Sequence, residues 1–122
     1  IEMGQIEGGF VQGAGWLTME EVNWKSNGEI STHSPSTYKI PAVSDMPEKF
    51  NAEIFKKGKN IENVINKSKT TGEPPLMNAM SVFFAIKNAI ASTVNYNINP
   101  KLDAPATPEK ILMSIKNLKN KI

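Results

Sequence analysis

The sequence predicts an α+β fold, with helices at the start, centre and end of the chain and a hairpin with further short strands between them. Three patterns lead to this prediction: helically spaced apolar residues in residues 6–17, alternation around Asn27-Gly28, and an almost continuously apolar stretch from Leu76 to Ile90. A chain of 122 residues with a net charge of +2 suits one compact unit.

The first segment combines a helical pattern with many glycines. Ile6, Phe10 and Leu17 recur at near-helical spacing. Each interior glycine disfavours a helix by roughly 0.5–1 kcal/mol relative to alanine. We therefore expect this helix to approach either another backbone or a ligand very closely, and the pattern leaves both open. The glycines are Gly4, Gly8, Gly9, Gly13 and Gly15.

The strands are predicted from alternation. Asn27-Gly28 lies between alternating residues on both sides, which is typical of a two-residue hairpin turn. Tyr38 and Ile40 indicate a short extended segment that ends at Pro41. Residues 50–55 alternate again and predict a further strand.

The central helix is predicted to begin near Leu76 and to run to Ile90. Its apolar residues almost encircle it, which is typical of a helix in the core of a sizeable protein. The last helix should begin at Thr107-Pro108-Glu109, because threonine is a good N-cap and proline suits the first helical position.

Composition limits the chemistry. The chain has one histidine, His33, and no cysteine, so we expect no side-chain metal centre and no disulfide. The lysines are scattered, which disfavours a nucleic-acid partner. No apolar run is long enough to suggest a membrane partner, and we expect a cytoplasmic location.

One carboxylate lies in an unusual setting, Gly72-Glu73-Pro74-Pro75. The two prolines can occupy the first helical positions, so Glu73 would lie on a stiff turn at a helix entrance. Glu73 could simply favour the helix dipole. Alternatively, burial there would raise its pKa and suit it to general-base work. Gln5 offers uncharged donors and an acceptor that could hold a polar cofactor edge.

Five ordered motifs resemble one family across nearly the whole chain. The sequence is similar to the C-terminal end of the molybdenum-binding subunit in the xanthine dehydrogenase group of molybdenum hydroxylases, in its bacterial form. The motifs are residues 4–13 (GQIEGGFVQG), 35–41 (PSTYKIP), 68–76 (SKTTGEPPL), 81–86 (SVFFAI) and 102–110 (LDAPATPEK).

This resemblance implies oxidative hydroxylation of hypoxanthine or xanthine at a molybdenum–molybdopterin centre. It implies that Glu73 is the general base, that Gln5 lies against the cofactor, and that Gly72 lets the backbone approach the centre. It also implies that the molybdenum is held by the pterin and not directly by the protein. Iron–sulfur clusters, FAD and NAD would act on other parts or subunits of the enzyme.

We accordingly interpret residues 1–122 as a single fragment, the C-terminal part of a molybdopterin-binding domain. The expected partners are a purine substrate, the rest of the molybdenum subunit and an iron–sulfur/flavin subunit, in a hetero-oligomer. Two alternatives remain open. The chain could belong to an aldehyde oxidase or another heterocycle hydroxylase of the same family, or it could be a truncated, non-catalytic remnant.

Overall fold

A computed structural model describes residues 1–121, which contain four α-helices joined by long irregular connections. The helices are α1 (Glu2–Thr18), α2 (Glu73–Asn78), α3 (Met80–Ser92) and α4 (Pro108–Lys119). Single 3₁₀ turns occur at Val43–Asp45 and Ile65–Lys67. Helices at the start, centre and end of the chain are thus confirmed. The β part of the predicted α+β fold is not, since the described residues contain no strand beyond one isolated bridge.

Helix α1 packs against α2 and α3 through its glycines. A methyl group built on Gly9 would lie 2.6 Å from the carbonyl oxygen of Gly72. One built on Gly13 would overlap the carbonyl oxygen of Leu76 and lie 2.7 Å from Cβ of Ala79. The predicted close approach is therefore confirmed at Gly9 and Gly13, where the neighbour is another helix.

The predicted hairpin is reduced to one antiparallel bridge between Trp24 and Ile30. Its turn has three residues and not two, because the Gly28 N–H donates to the Lys25 carbonyl and the Lys25 N–H donates to the Glu29 carbonyl. Gly28 has a φ of 85°, the left-handed conformation that closes such a three-residue turn. The turn signal was correct, but the flanking residues are exposed and find no sheet to join.

The other two strand predictions are also not confirmed. Tyr38 lies in an irregular segment, and its hydroxyl donates to the Glu20 carboxylate at 2.6 Å. Residues 50–55 have no paired strand in the described chain. Their contact with the helices includes the ring of Phe50, whose centroid lies 5.5 Å from that of Phe10 on α1.

The central helix is divided in two and begins three residues earlier than predicted. The Ala79 N–H donates to the Leu76 carbonyl, and the Val82 N–H donates to the Ala79 carbonyl. Both bonds have the tighter 3₁₀ spacing, which marks the break between α2 and α3. Ala79 is completely buried against Gly13. The apolar pattern does not reveal this break, because the break coincides with a contact between residues that are far apart in the sequence.

Burial of the central helix is also less complete than predicted. Met77, Met80 and Phe84 are 54%, 46% and 59% exposed. The main apolar core lies instead at the far end of α3, where α3 meets α4 and the loop between them. Its buried members are Ile90, Val94, Leu102, Ala106 and Leu118.

The start of α4 follows the prediction. The Thr107 hydroxyl accepts a hydrogen bond from the Lys110 N–H at 3.4 Å, and Pro108 occupies the first helical position. The Ala106 N–H donates to the Leu17 carbonyl at 2.7 Å, which joins this region to the end of α1. Of the helices in residues 1–121, none combines the length and the apolar character that crossing a membrane requires.

Candidate functional site

A groove of about 270 Å³ lies between the first half of α1 and the start of α2. It brings together Gln5, Gly72 and Glu73, the three residues singled out in the sequence as candidate site residues. They come from opposite parts of the chain and meet because α1 packs on α2. The groove is lined by Gly4, Gln5, Gly8, Gly9, Gln12, Gly72, Glu73 and Leu76.

Gly9 sets the distance between the two walls of this groove. The Gly72 carbonyl approaches so closely that any side chain at Gly9 would displace it, as the 2.6 Å spacing shows. Pro75 lies 3.5 Å from the same point and is buried beneath the turn. Because Gly72 precedes Glu73 directly, this contact fixes where the Glu73 backbone lies relative to α1.

Glu73 is the first residue of α2, and its side chain is exposed in this chain. The expectation that it lies buried at the helix mouth is therefore wrong for the chain by itself. Gly9 of α1, which contacts the preceding Gly72, carries no side chain that could cover it. Among the residues that line the groove, Glu73 is the one ionisable side chain, so it is the groove's own candidate proton acceptor.

Gln5 lies on the opposite wall. Its Oε1 is 3.8 Å from the position that a Cβ on Gly72 would occupy, so the amide lies beside the Glu73 turn. Gly4 and Gly8 flank it with a bare helix surface, since a methyl group built on either would have no atom within 4 Å. Gln12 supplies a second amide one turn beyond Gly8.

This arrangement offers a bare helix surface and two uncharged amides to a polar group of a ligand. A side-chain-free helix surface lets such a group approach the backbone, and the two glutamines can each donate and accept hydrogen bonds without a charge. The described residues contain no group of three or more His, Asp or Glu side chains that could hold a metal ion.

Sequence reasoning missed the pair formed by Glu20 and Tyr38. Glu20 is only 8% exposed, although it lies next to Glu21 in a polar part of the sequence. The hydrogen bond to Glu20, with burial and the Glu20 charge adding to it, raises the pKa of the Tyr38 hydroxyl above its usual value. Tyr38 and Glu20 line a second depression that shares Gly8 and Gln12 with the groove. The pair thus connects the end of α1 to the segment that follows it.

Two kinds of comparison with known proteins agree with the resemblance noted in the sequence. The molybdopterin cofactor-binding domain family matches residues 1–47. This match includes Gln5 and all the glycines of α1, whereas Glu73 lies beyond it.

Curated relatives match almost the whole chain. Xanthine dehydrogenase/oxidase from Rattus norvegicus is 48% identical over 116 residues, covering 91% of this chain and 9% of its own length. Xanthine dehydrogenase 1 from Arabidopsis thaliana is 44% identical over 124 residues, and xanthine dehydrogenase from Dictyostelium discoideum 45% over 117. These matches cover 93% of this chain and 9% and 8% of those relatives. The chain is therefore similar, over more than nine-tenths of its length, to one segment of these xanthine dehydrogenases, and its first 47 residues match the molybdopterin cofactor-binding domain family.

Proposed function

We propose that this chain forms one wall of a molybdopterin site and supplies the general base for the oxidative hydroxylation of hypoxanthine or xanthine. The observation that carries the proposal is the groove itself, where Glu73 and Gln5 line one cavity beside the bare glycine surface of α1. Support also comes from the names of the relatives, which are xanthine dehydrogenases over the same region. Because the chain spans about a tenth of those relatives' length, it would act only as part of a larger enzyme.

Molybdopterin, when bound, supplies a molybdenum centre that takes up two electrons from the substrate. The residues of this chain bind and orient it. Gln5 and Gln12 offer amide donors and acceptors to its polar edge, and Gly4 and Gly8 let it lie directly on the α1 backbone. Gly72 leaves the approach to Glu73 free of a side chain.

Glu73 would take up the proton that must leave the hydroxylating oxygen. Its carboxylate is the only ionisable group among the groove's lining residues in the described part of the chain, so no other lining residue of this chain competes for that proton. Its backbone is stiff, because Pro74 and Pro75 follow it and the Gly72 carbonyl is fixed against Gly9. A positioned general base of this kind contributes roughly 10²–10⁴-fold to a rate.

The same proposal implies further cofactors and further protein parts in the complete enzyme. Electrons would leave through iron–sulfur clusters and FAD to NAD, carried by other parts or subunits. The molybdenum-binding and iron–sulfur/flavin parts would assemble as a hetero-oligomer in the cytoplasm. The exposed apolar side chains of Met77, Met80 and Phe84 support an assembly, since such patches usually contact another protein surface.

The test is Glu73→Gln in the complete enzyme, with Glu7→Gln as the matched control. Glu7 is an exposed glutamate of α1 outside the groove lining. We expect Glu73→Gln to lower kcat by roughly 10²–10⁴-fold while molybdenum content and unfolding temperature stay at wild-type values. Glu7→Gln should leave all three unchanged. A Glu73→Gln enzyme with at least half of wild-type turnover would show that Glu73 is not the base.

A further inference from the structure

Residues 50–55 combine the side-chain pattern of a strand with a backbone that has no partner. Phe50 and Ala52 are half-buried, whereas Asn51 and Glu53 between them are exposed. Phe50 packs on Phe10, so this face of the segment lies against α1. Alternating burial over residues 50–53 is typical of a strand with one face on a core, and Ile54, the next residue on that face, is exposed.

The backbone of this segment is unpaired on both edges. No backbone hydrogen bond joins residues 51–54 to any other residue in the described part of the chain, and Phe55 contributes only its carbonyl, to the turn at Gly58. Ile54 and Phe55 are also 49% and 75% exposed, although such side chains favour strands with packed neighbours. An extended segment with free edges and exposed apolar residues is a template for strand pairing.

We infer that residues 50–55 become a β-strand by adding to the edge of a sheet that the rest of the molybdenum-binding polypeptide supplies. The size of the relatives favours this occupant, since about nine-tenths of their length lies outside the matched region. Phe50 and Ala52 would then form part of a sheet face packed on α1, and the sheet would lie on the side of α1 facing Phe10, distinct from the Gly9 face that contacts α2. This inference does not depend on the role of Glu73.

Amide hydrogen exchange in the complete enzyme tests the inference directly. We expect alternate amides in residues 51–55, those that face the sheet, to exchange at least about 100-fold more slowly than the amides of the neighbouring polar loop, residues 56–60, because pairing protects the N–H groups that donate to the neighbouring strand. Exchange in the two stretches at the same rate would overturn the inference. Protection that disappears on dilution of the enzyme would assign the partner strand to a second copy and would overturn it as well.

Proline substitutions supply a second, independent test. Proline removes one N–H, and successive N–H groups of a strand point to opposite edges. Of two neighbouring residues, one therefore has the N–H that pairs with the sheet. We expect Asn51→Pro, Ala52→Pro or both to abolish the slow exchange and lower the unfolding temperature by several degrees. Lys56→Pro is the control, because Lys56 follows Phe55 in the turn closed by Gly58, a position where proline is favoured. If the Asn51→Pro and Ala52→Pro enzymes both have the same slow exchange and the same unfolding temperature as Lys56→Pro, the inference is overturned.

Discussion

Two pairs of glycines on α1 differ in what surrounds them. Gly9 and Gly13 touch the backbone of α2 so closely that neither position has space for a methyl group. Gly4 and Gly8 have no atom within 4 Å of the same point. Since a glycine disfavours a helix interior wherever it lies, each pair needs its own reason. The first pair is explained by helix packing inside this chain, and the second pair by the groove.

The packed pair also determines the site. Contact at Gly9 and Gly13 places the Glu73 turn beside α1, and the open pair leaves a bare surface next to it. One helix therefore positions the proposed base with one face and forms the wall of the groove with another. Substitutions at the two kinds of position should have effects of opposite sign.

The largest effect on stability is expected for Gly13→Ala. Its methyl group would overlap the Leu76 carbonyl and press on Ala79, neither of which is a flexible side-chain end. Forced overpacking of this kind destabilises by about 1–3 kcal/mol. The measurement is the unfolding temperature of the cofactor-free enzyme. An unchanged temperature would mean that α1 and α2 are not packed as described.

Gly28→Ala should have a smaller and purely local effect. Gly28 has open space around it but a φ of 85°, which an alanine adopts at a cost of about 1–2 kcal/mol. We expect a modest loss of stability with full molybdenum content, as measured by metal analysis of the purified variant. Loss of metal without loss of stability would indicate that the hairpin turn contributes to the site.

Gly4→Ala should change stability in the opposite direction. With open space around it, an alanine gains helix propensity, which stabilises by at most about 0.5–1 kcal/mol near the start of a helix. The unfolding temperature of the cofactor-free enzyme should rise slightly. This variant is also the matched control for Gly13→Ala, and destabilisation by both would remove the distinction between the two pairs of glycines.

Tyr38→Phe should give the smallest effect, and one that depends on pH. Because Glu20 raises the pKa of Tyr38 in the folded chain, the stabilisation is fully present below the unfolded pKa of 10.0 and is lost as pH rises through the raised value. The variant should therefore melt at a lower temperature than wild type at pH 7, and the difference should shrink above pH 10.0. A difference that stays constant from pH 7 to the highest pH tested would exclude the hydrogen bond as its source.

Local features of this molecule were predictable from the sequence, whereas features that depend on contacts were not. Thr107 and Pro108 act within one helical turn, and the structure begins α4 there. The break at Ala79 coincides with its burial against Gly13, which no periodicity shows. Strands need a partner for their hydrogen bonds, so alternation in residues 50–55 predicted a tendency and not a sheet.

The site shows the same division. Gln5, Gly72 and Glu73 follow from the sequence, partly through their chemistry and mainly through a family resemblance, and the structure places them in one groove. Their roles stay predictions. Gln12 was missed because a polar residue on a helix surface is unremarkable until the opposite wall of the groove is known. The sequence predicts a buried Glu73, whereas the structure leaves it exposed. The residue of α1 that contacts its turn is a glycine, which has no side chain to cover it.

The bare surface of α1 is proposed to bind the cofactor, and the decisive measurement is the molybdenum content per protomer. The two variants to compare are Gly8→Val, which fills the groove, and Glu7→Val, which places the same side chain on the next residue outside it. We predict that Gly8→Val loses most of its molybdenum while its cofactor-free form unfolds at the same temperature as Glu7→Val, which keeps its metal. Full molybdenum loading of Gly8→Val would contradict the account.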